Sequence, residues 1–125
     1  KIPSIFQAHD IFLFPSYREP SGNVVMEALS YGVPPIVADY GGPGYLVTKE
    51  CGWKIPVCSR DSFCTTIARV IDSIQLGEQD LQSMAIRALS RANLLGNWQK
   101  KVEWILERYD EVLRKKGMGL ETILR

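Results

Sequence analysis

Residues 10–38 read DIFLFPSYREPSGNVVMEALSYGVPPIVA and contain the clearest secondary-structure pattern of the chain. The apolar run at 11–14 is ended by a proline, which is typical of a short strand buried on both faces, as the strands of parallel sheets are. Turn-forming residues follow it, and a helix is predicted over 23–31, where a glycine and two prolines stop it. A second short buried strand is predicted over 36–38. Strand, loop, helix and strand in this order predict an α/β fold with a parallel sheet.

The segments on either side extend this α/β pattern. A short helical turn closed by His9 is predicted at the start, and a second glycine-rich loop is predicted over 39–44. Residues 53–55 predict a third, shorter strand. Apolar residues then recur at helical spacing in three stripes, the first of which Asp61 or Ser62 is placed to cap. The three predicted helices cover residues 63–74, 81–92 and 98–113.

The composition is that of one ordinary globular domain. Hydrophobic residues make up 46% of the 125 residues and charged residues 23%, and the formal net charge is +1. A charge so close to zero gives no electrostatic argument for binding nucleic acid, and no apolar run is long enough to span a bilayer. One histidine, and three cysteines without a paired C-x-x-C spacing, argue against a metal site and favour ordinary thiols in a reducing compartment. We therefore expect a cytoplasmic protein without a bound metal.

The loop at 17–22 and the helix after it carry the residues best suited to a ligand. In open parallel sheets, ligands bind beyond the carboxyl ends of the strands, which is where this loop and the one at 39–44 are expected. A helix that starts near Gly22 offers backbone N–H groups and the positive end of its dipole to a phosphate. Glu27, in the second turn, can accept two hydrogen bonds from a diol such as that of a ribose. Judged on these residues alone, solvated surface acids remain the commoner explanation of Glu19 and Glu27.

The order of the motifs resembles the E-x7-E region of glycosyltransferase family 4. The matching residues are the strand and loop at 10–16, the stretch EPSGNVVMEAL at 19–29, the turn at 32–34 and the glycine-rich loop at 41–43. The specific likeness covers residues 8–57, and the helical remainder agrees in pattern. Members of the family are GT-B enzymes that transfer a sugar from a nucleotide diphosphate sugar with retention of configuration. The resemblance therefore implies a Rossmann-like parallel-sheet half-domain of a GT-B fold with C-terminal helices.

The resemblance also implies roles for the two glutamates and for the helix start between them. Glu19 matches the glutamate that faces the donor sugar, which makes it the candidate catalytic residue. Glu27 matches the glutamate that holds the ribose, and Gly22, Asn23 and Val24 match donor-binding positions at the helix start. Asn23 departs from the family, which often has an apolar or aromatic residue there.

Parts that the family possesses are expected to be missing. In the family, an acceptor-binding N-terminal domain and the basic residues that neutralise the diphosphate precede the matched region, and this chain does not begin with Met. We therefore expect residues 1–116 to be a partial C-terminal nucleotide-sugar-binding domain, truncated at its N-terminal side, and residues 117–125 to be a frayed tail. Tyr45 stands where the family often has an acidic residue, so it is left outside the predicted site. The fragment alone is expected to be inactive.

The expected function is that of a hexosyltransferase in glycan or cell-surface polysaccharide synthesis. Its partners would be a nucleotide diphosphate sugar and, through the missing domain, an acceptor glycan or lipid-linked sugar, with no metal cofactor required. Two alternatives stay open: a GT-B nucleotide-sugar epimerase or phosphorylase, and a non-catalytic nucleotide-sugar-binding module. An uncovered apolar stripe at 98–113 would promote self-association of the fragment. The basic residues nearby suggest a peripheral contact with the inner face of the membrane, although interleaved acids favour a solvated helix face.

Overall fold

The structure, a computed structural model, describes residues 2–117 and the side chains of residues 4–117. Most of the tail predicted at 117–125 lies outside the described residues, so the boundary between 1–116 and 117–125 stays a prediction. The described elements are, in chain order, α1 (Ile2–Gln7), β1 (Phe12–Phe14), α2 (Asn23–Ser30), β2 (Pro35–Ala38), α3 (Gly41–Leu46), β3 (Trp53–Ile55), α4 (Arg60–Gln75), α5 (Leu81–Gly96) and α6 (Trp98–Lys115).

The chain divides into two compact units, Lys1–Leu95 and Gly96–Arg125. The first contains the sheet and the helices around it. Its three strands are all parallel and lie in the order β1-β2-β3. Leu13 pairs with Ile36, which in turn pairs with Trp53. The predicted α/β fold with a parallel sheet is confirmed.

Helix α2 packs one side on the sheet and turns the other to solvent. Val25, Ala28 and Leu29 are fully buried, because helical spacing brings these three apolar side chains to one face. Burial of a valine or leucine side chain contributes about 1.5–3 kcal/mol to stability. Asn23 and Glu27 are exposed on the opposite face, as predicted. The helix therefore fixes the direction in which its polar residues point. The main core cluster of this unit consists of Val25, Leu29, Val37, Val47, Cys51, Ala88 and Ala92.

The first strand differs from the prediction. All four residues of β2 are buried, whereas Leu13 in β1 is 44% exposed, so the expected burial of β1 on both faces is wrong. Phe12 and Phe14 pack against the core, and strand geometry turns the residue between them to the other face. Strand β1 is an edge strand of the described sheet, with a neighbour on one side only. Its outer face is therefore less covered than that of the central strand.

Two local predictions around α3 and α4 also need correction. The segment predicted as a glycine-rich loop contains the short helix α3, in which Pro43 and Gly44 are buried. A proline is tolerated in the first turn of a helix because its missing N–H would have no partner there. The cap of α4 is Ser59, not Asp61 or Ser62. The Ser62 N–H donates to Ser59 Oγ over 3.2 Å, and the Ser59 N–H donates to Ser62 Oγ over 3.2 Å, which closes a capping box.

The ends of α1 and α6 follow the sequence pattern. His9 Nδ1 lies 2.7 Å from the carbonyl oxygen of Ile5, so this histidine closes α1 as predicted. In the second unit, Asn97 caps α6 by accepting a hydrogen bond of 3.0 Å from the Lys100 N–H. Gly117 follows the helix with a φ of 68°, a left-handed conformation that favours glycine.

Candidate functional site

The loops that follow β1 and β2 meet at the carboxyl edge of the sheet. A Cβ atom added to Gly42 would lie 2.4 Å from the carbonyl oxygen of Pro20 and 2.5 Å from that of Ser21. A Cβ atom added to Gly41 would lie 2.9 Å from the carbonyl oxygen of Glu19. Because real Cβ contacts are longer, only glycine allows the two backbones to approach this closely. The predicted placement of both glycine-rich loops at one edge of the sheet is confirmed.

Gly22 begins helix α2 in a conformation that suits glycine. Its φ of 72° and ψ of 33° are left-handed, and an added Cβ would lie 3.1 Å from the Pro43 nitrogen. Its carbonyl oxygen accepts hydrogen bonds from the N–H groups of Val25 (2.9 Å) and Met26 (3.1 Å). The backbone conformation therefore favours glycine at this position, and the space for a side chain is tight.

Glu19 folds back onto this helix start. Its Oε1 atom accepts hydrogen bonds from the Ser21 N–H (3.2 Å), the Ser21 hydroxyl (2.9 Å) and the Gly22 N–H (3.0 Å). The bonds from the Gly22 N–H, the Ser21 hydroxyl and the Ser21 N–H, in this order of effect, hold the pKa of Glu19 below its usual range. The carboxylate thus stays ionised at neutral pH. The Gly22 N–H, predicted to face the donor, is engaged within the protein in this structure.

Two other N–H groups at the helix start remain available. Among the described residues, no group accepts a hydrogen bond from the backbone N–H of Asn23 or Val24. These are the first two residues of α2, where the N–H groups have no partner within the helix. Such groups, together with the helix dipole, favour an anion.

Glu27 lies one helical turn beyond these N–H groups. Its carboxylate is exposed and forms no hydrogen bond or ion pair with another described residue. The rise of an α-helix places it about 6 Å along the axis from Asn23. An apolar cavity of about 380 Å³ adjoins it between α1, β1 and α2. The cavity is lined by Ile5, Phe6, His9, Ile11, Phe12, Val24 and Glu27.

An ion pair that was not predicted supports the second loop. Lys54 Nζ lies 2.8 Å from Asp39 Oδ1 and donates a hydrogen bond of 3.0 Å to the carbonyl oxygen of Gly44. Strand β3 thereby holds the residues that follow β2. The available signal was an acid directly after a buried strand, with a lysine in the next strand. That signal is common, and the sequence does not show that the two residues meet.

A second unpredicted contact comes from helix α5. Arg91 donates from Nε to the carbonyl oxygen of Leu46 and from Nη2 to that of Tyr45, both over 2.9 Å. Its guanidinium also lies 6.0 Å from the centre of the Tyr45 ring. Arg91 thus satisfies carbonyl groups at the end of α3, where a helix lacks partners of its own. Arg18, next to Glu19, lies over the ring of Tyr17 instead, 5.8 Å from its centre.

Residues 2–117 contain no cluster of three or more His, Cys, Asp or Glu side chains suited to a metal ion. Within the same residues, no helix has the length and apolarity that crossing a membrane requires. The cysteines are free thiols, with Cys51 buried and Cys58 and Cys64 exposed.

Comparison with known families shows the family to which the chain belongs. The sequence profile described as "Glycosyl transferases group 1" matches residues 1–87, which include both loops and helix α2. The chain belongs to this family.

Relatives within the group 1 glycosyl transferases act on different molecules. The chain is 39% identical over 72 residues to the UDP-Gal:α-D-GlcNAc-diphosphoundecaprenol α-1,3-galactosyltransferase of Escherichia coli, a match covering 57% of this chain and 19% of that protein. It is 30% identical over 114 residues to the D-inositol 3-phosphate glycosyltransferase of Nocardia farcinica, covering 90% of this chain and 24% of that protein. The chain therefore spans about a fifth to a quarter of the length of these curated relatives.

A solved structure agrees with the sequence comparison. The pneumococcal O-GlcNAc transferase GtfA, crystallised in complex with UDP and GlcNAc, matches with a TM-score of 0.60 and 26% sequence identity. The match covers 85% of this chain and 23% of that chain. The predicted glycosyltransferase family and the GT-B half-domain fold are thereby confirmed. The individual roles of Glu19, Gly22, Asn23, Val24 and Glu27 stay predictions.

Proposed function

We propose that this chain is the donor-binding part of a retaining hexosyltransferase that uses a nucleotide diphosphate sugar. One observation carries the proposal: helix α2 begins at the carboxyl edge of the sheet with two N–H groups from which no described residue accepts a hydrogen bond, and it presents Glu27 one turn later. This arrangement suits a diphosphate joined to a ribose. The GtfA structure, whose title names UDP and GlcNAc as bound molecules, supports a nucleotide sugar as the donor class.

Each predicted residue then has a distinct role. The N–H groups of Asn23 and Val24 bind the diphosphate, and the Glu27 carboxylate accepts hydrogen bonds from the ribose diol. Glu19 faces the hydroxyl groups of the donor sugar with Oε2, the oxygen that the helix start leaves free. Gly22 has no side chain, so the donor can approach the backbone closely, and it sets the direction in which helix α2 starts. Charge that develops on the leaving diphosphate is stabilised by the helix start, so transfer requires no metal cofactor.

The proposal also covers the acceptor and the cellular location of the enzyme. The Escherichia coli relative is named for a lipid-linked sugar, and this supports an acceptor glycan or lipid-linked sugar in glycan or cell-surface polysaccharide synthesis. We propose that the acceptor binds to a further domain and that the enzyme works in the cytoplasm or at the inner face of the membrane. The free thiols agree with a reducing compartment.

Replacement of Glu27 by glutamine tests the donor site in the chain itself. Loss of a charge-assisted hydrogen bond to the diol costs about 1.5–3 kcal/mol, so UDP or GDP binding should weaken at least tenfold. Glu78→Gln is the matched control, because Glu78 is also exposed and its side chain has no partner among the described residues. Affinity is measured by NMR titration with each nucleotide. Equal affinity of Glu27→Gln and the unmodified chain would remove Glu27 from the site.

Catalysis by the isolated chain is the second test. A cleft formed between two domains is incomplete when one is absent, so residues 1–125 alone should transfer no sugar. Binding of a nucleotide should still be detectable, with a dissociation constant of about 1 mM. Radiolabelled sugar transfer and donor hydrolysis are the assays. Turnover by the purified chain would contradict the proposal that it acts as half of a catalytic unit.

A further inference from the structure

The carboxylate of Glu19 is held asymmetrically. Oε1 accepts three hydrogen bonds, whereas no described residue donates to Oε2. A carboxylate has two oxygens with about two acceptor sites each, so three donors saturate Oε1. Whatever capacity Glu19 keeps for a ligand therefore lies on Oε2.

One of the three donors depends on the identity of a side chain. The N–H groups of Ser21 and Gly22 belong to the backbone and would be present with almost any residue at position 21. The Ser21 hydroxyl is the third donor, and its 2.9 Å bond to Oε1 is the shortest of the set. An alanine at this position keeps both backbone donors and loses only the hydroxyl.

We propose that Ser21 is a positioning residue, whose hydroxyl fixes the Glu19 carboxylate so that Oε2 points to the hydroxyl groups of the donor sugar. The inference rests on the proposed function, in which Glu19 faces the sugar. Ser21 itself is exposed and acts through Glu19. Without its hydroxyl, Oε1 keeps only the two backbone donors and the carboxylate can rotate, which lowers the fraction of molecules ready to bind a sugar.

Neighbouring charges do not provide this restraint. Arg18, in the same loop, lies over the ring of Tyr17 and forms no ion pair with Glu19. Asp39, in the loop packed against it, is paired with Lys54. The lowered pKa of Glu19 has the Ser21 hydroxyl among its causes, after the Gly22 N–H. Among the groups that hold the Glu19 carboxylate, the Ser21 hydroxyl is thus the side-chain donor that a single substitution can remove.

Three variants of this chain separate positioning from loop stability. Ser21→Ala removes the hydroxyl and Ser21→Thr retains it. Ser16→Ala removes a hydroxyl from the segment that follows β1, and this hydroxyl forms no hydrogen bond with Glu19. The first readout is the pH titration of the Glu19 carboxyl carbon by NMR, assigned with Glu19→Gln. Ser21→Ala should raise the midpoint toward the ordinary glutamate value, and the other two variants should not. An unchanged midpoint in Ser21→Ala would overturn the coupling.

The second readout compares a nucleotide with and without its sugar. Affinities for UDP and GDP, and for the glucose, galactose, GlcNAc and mannose derivatives of each, are measured by NMR titration. In Ser21→Ala, affinity for the preferred nucleotide sugar should fall about fivefold while that for the nucleotide without its sugar is retained, and Ser21→Thr should restore it. Equal weakening of both ligands would overturn the positioning role. Failure of the proposed function looks different: the unmodified chain would bind neither UDP nor GDP, with or without a sugar, which overturns the sugar role whatever pH midpoint Glu19 shows.

Discussion

Replacement of Gly42 by alanine should separate the two loops that form the candidate site. The added Cβ would lie 2.4 Å from the carbonyl oxygen of Pro20 and 2.5 Å from that of Ser21, both of them backbone atoms. Real Cβ atoms essentially never come within 3.0 Å of a neighbour, so the loops must move apart by at least about 0.6 Å. The φ of Gly42 is not positive, so alanine causes no strain in its own backbone conformation. The whole cost therefore arises from the contact between the loops.

The loss of stability in Gly42→Ala depends on how rigid the two loops are. Overpacking costs about 1–3 kcal/mol, and the upper value is expected because no flexible side chain can move aside. For a domain of this size, about 3 kcal/mol lowers the midpoint of thermal unfolding by about 10 °C. Circular dichroism during heating measures this midpoint. NMR spectra of the backbone amides then report whether Ser21 and Gly22 have moved.

Gly52→Ala is the matched control for this prediction. Its added Cβ would lie 2.4 Å from the carbonyl oxygen of Pro35, where β2 begins, so the shortest contact has the same length but lies at the amino edge of the sheet. Both variants should lose stability to a similar degree, and only Gly42→Ala should shift the amide signals of Ser21 and Gly22. A midpoint for Gly42→Ala within about 2 °C of the unmodified chain would refute the close packing of the loops.

Three further predictions concern charge and association. Because the pKa of Glu19 is lowered on folding, its carboxylate should stabilise the fold at neutral pH and lose this effect as the pH falls through its folded pKa. The difference in unfolding midpoint between the unmodified chain and Glu19→Gln should therefore shrink from neutral pH to about pH 3, and a constant difference would contradict this. A double-mutant cycle of Asp39→Asn and Lys54→Met should give a coupling of about 0.5–1 kcal/mol by denaturant unfolding, whereas additive effects would show no working ion pair. Helical spacing places four apolar residues of α6 on one side: Val102, Ile105, Tyr109 and Val112. The chain should therefore self-associate, and light scattering should show an apparent mass that rises with concentration. A constant monomer mass would contradict this prediction.

The elements that the sequence predicted well are those whose pattern is local. The strand at 12–14, helix α2 and strand β2 follow from apolar runs and helical spacing between turn residues. Helix α3 was missed because it begins with Gly-Gly-Pro-Gly, which has poor helix propensity. The packing of the buried residues Pro43 and Gly44 determines its conformation instead. The exposure of Leu13 depends on which strands flank β1. Propensity and periodicity along the sequence do not show the order of the strands in the sheet.

The candidate site was predicted in outline and not in its internal contacts. The motif spacing placed Glu27 on the exposed face of α2 and Gly22 at its start, because both follow from helix geometry. It did not show that Glu19 turns back to the Gly22 N–H, since this depends on the conformation of the loop between them. The ion pair joins Lys54 of β3 to Asp39, the residue after β2, and such contacts are set by strand order and register.

A map of nucleotide binding along the chain tests the central claim most directly. The ¹⁵N-labelled chain is titrated with UDP and with GDP, up to about ten times the expected millimolar dissociation constant, while its amide signals are followed by NMR. If helix α2 binds the diphosphate, the largest shifts with the preferred nucleotide should occur at the amides of Asn23 and Val24, and Glu27→Gln should weaken them. Shifts confined to other regions of the chain, or none with either nucleotide, would contradict the proposal that the start of α2 is the donor site.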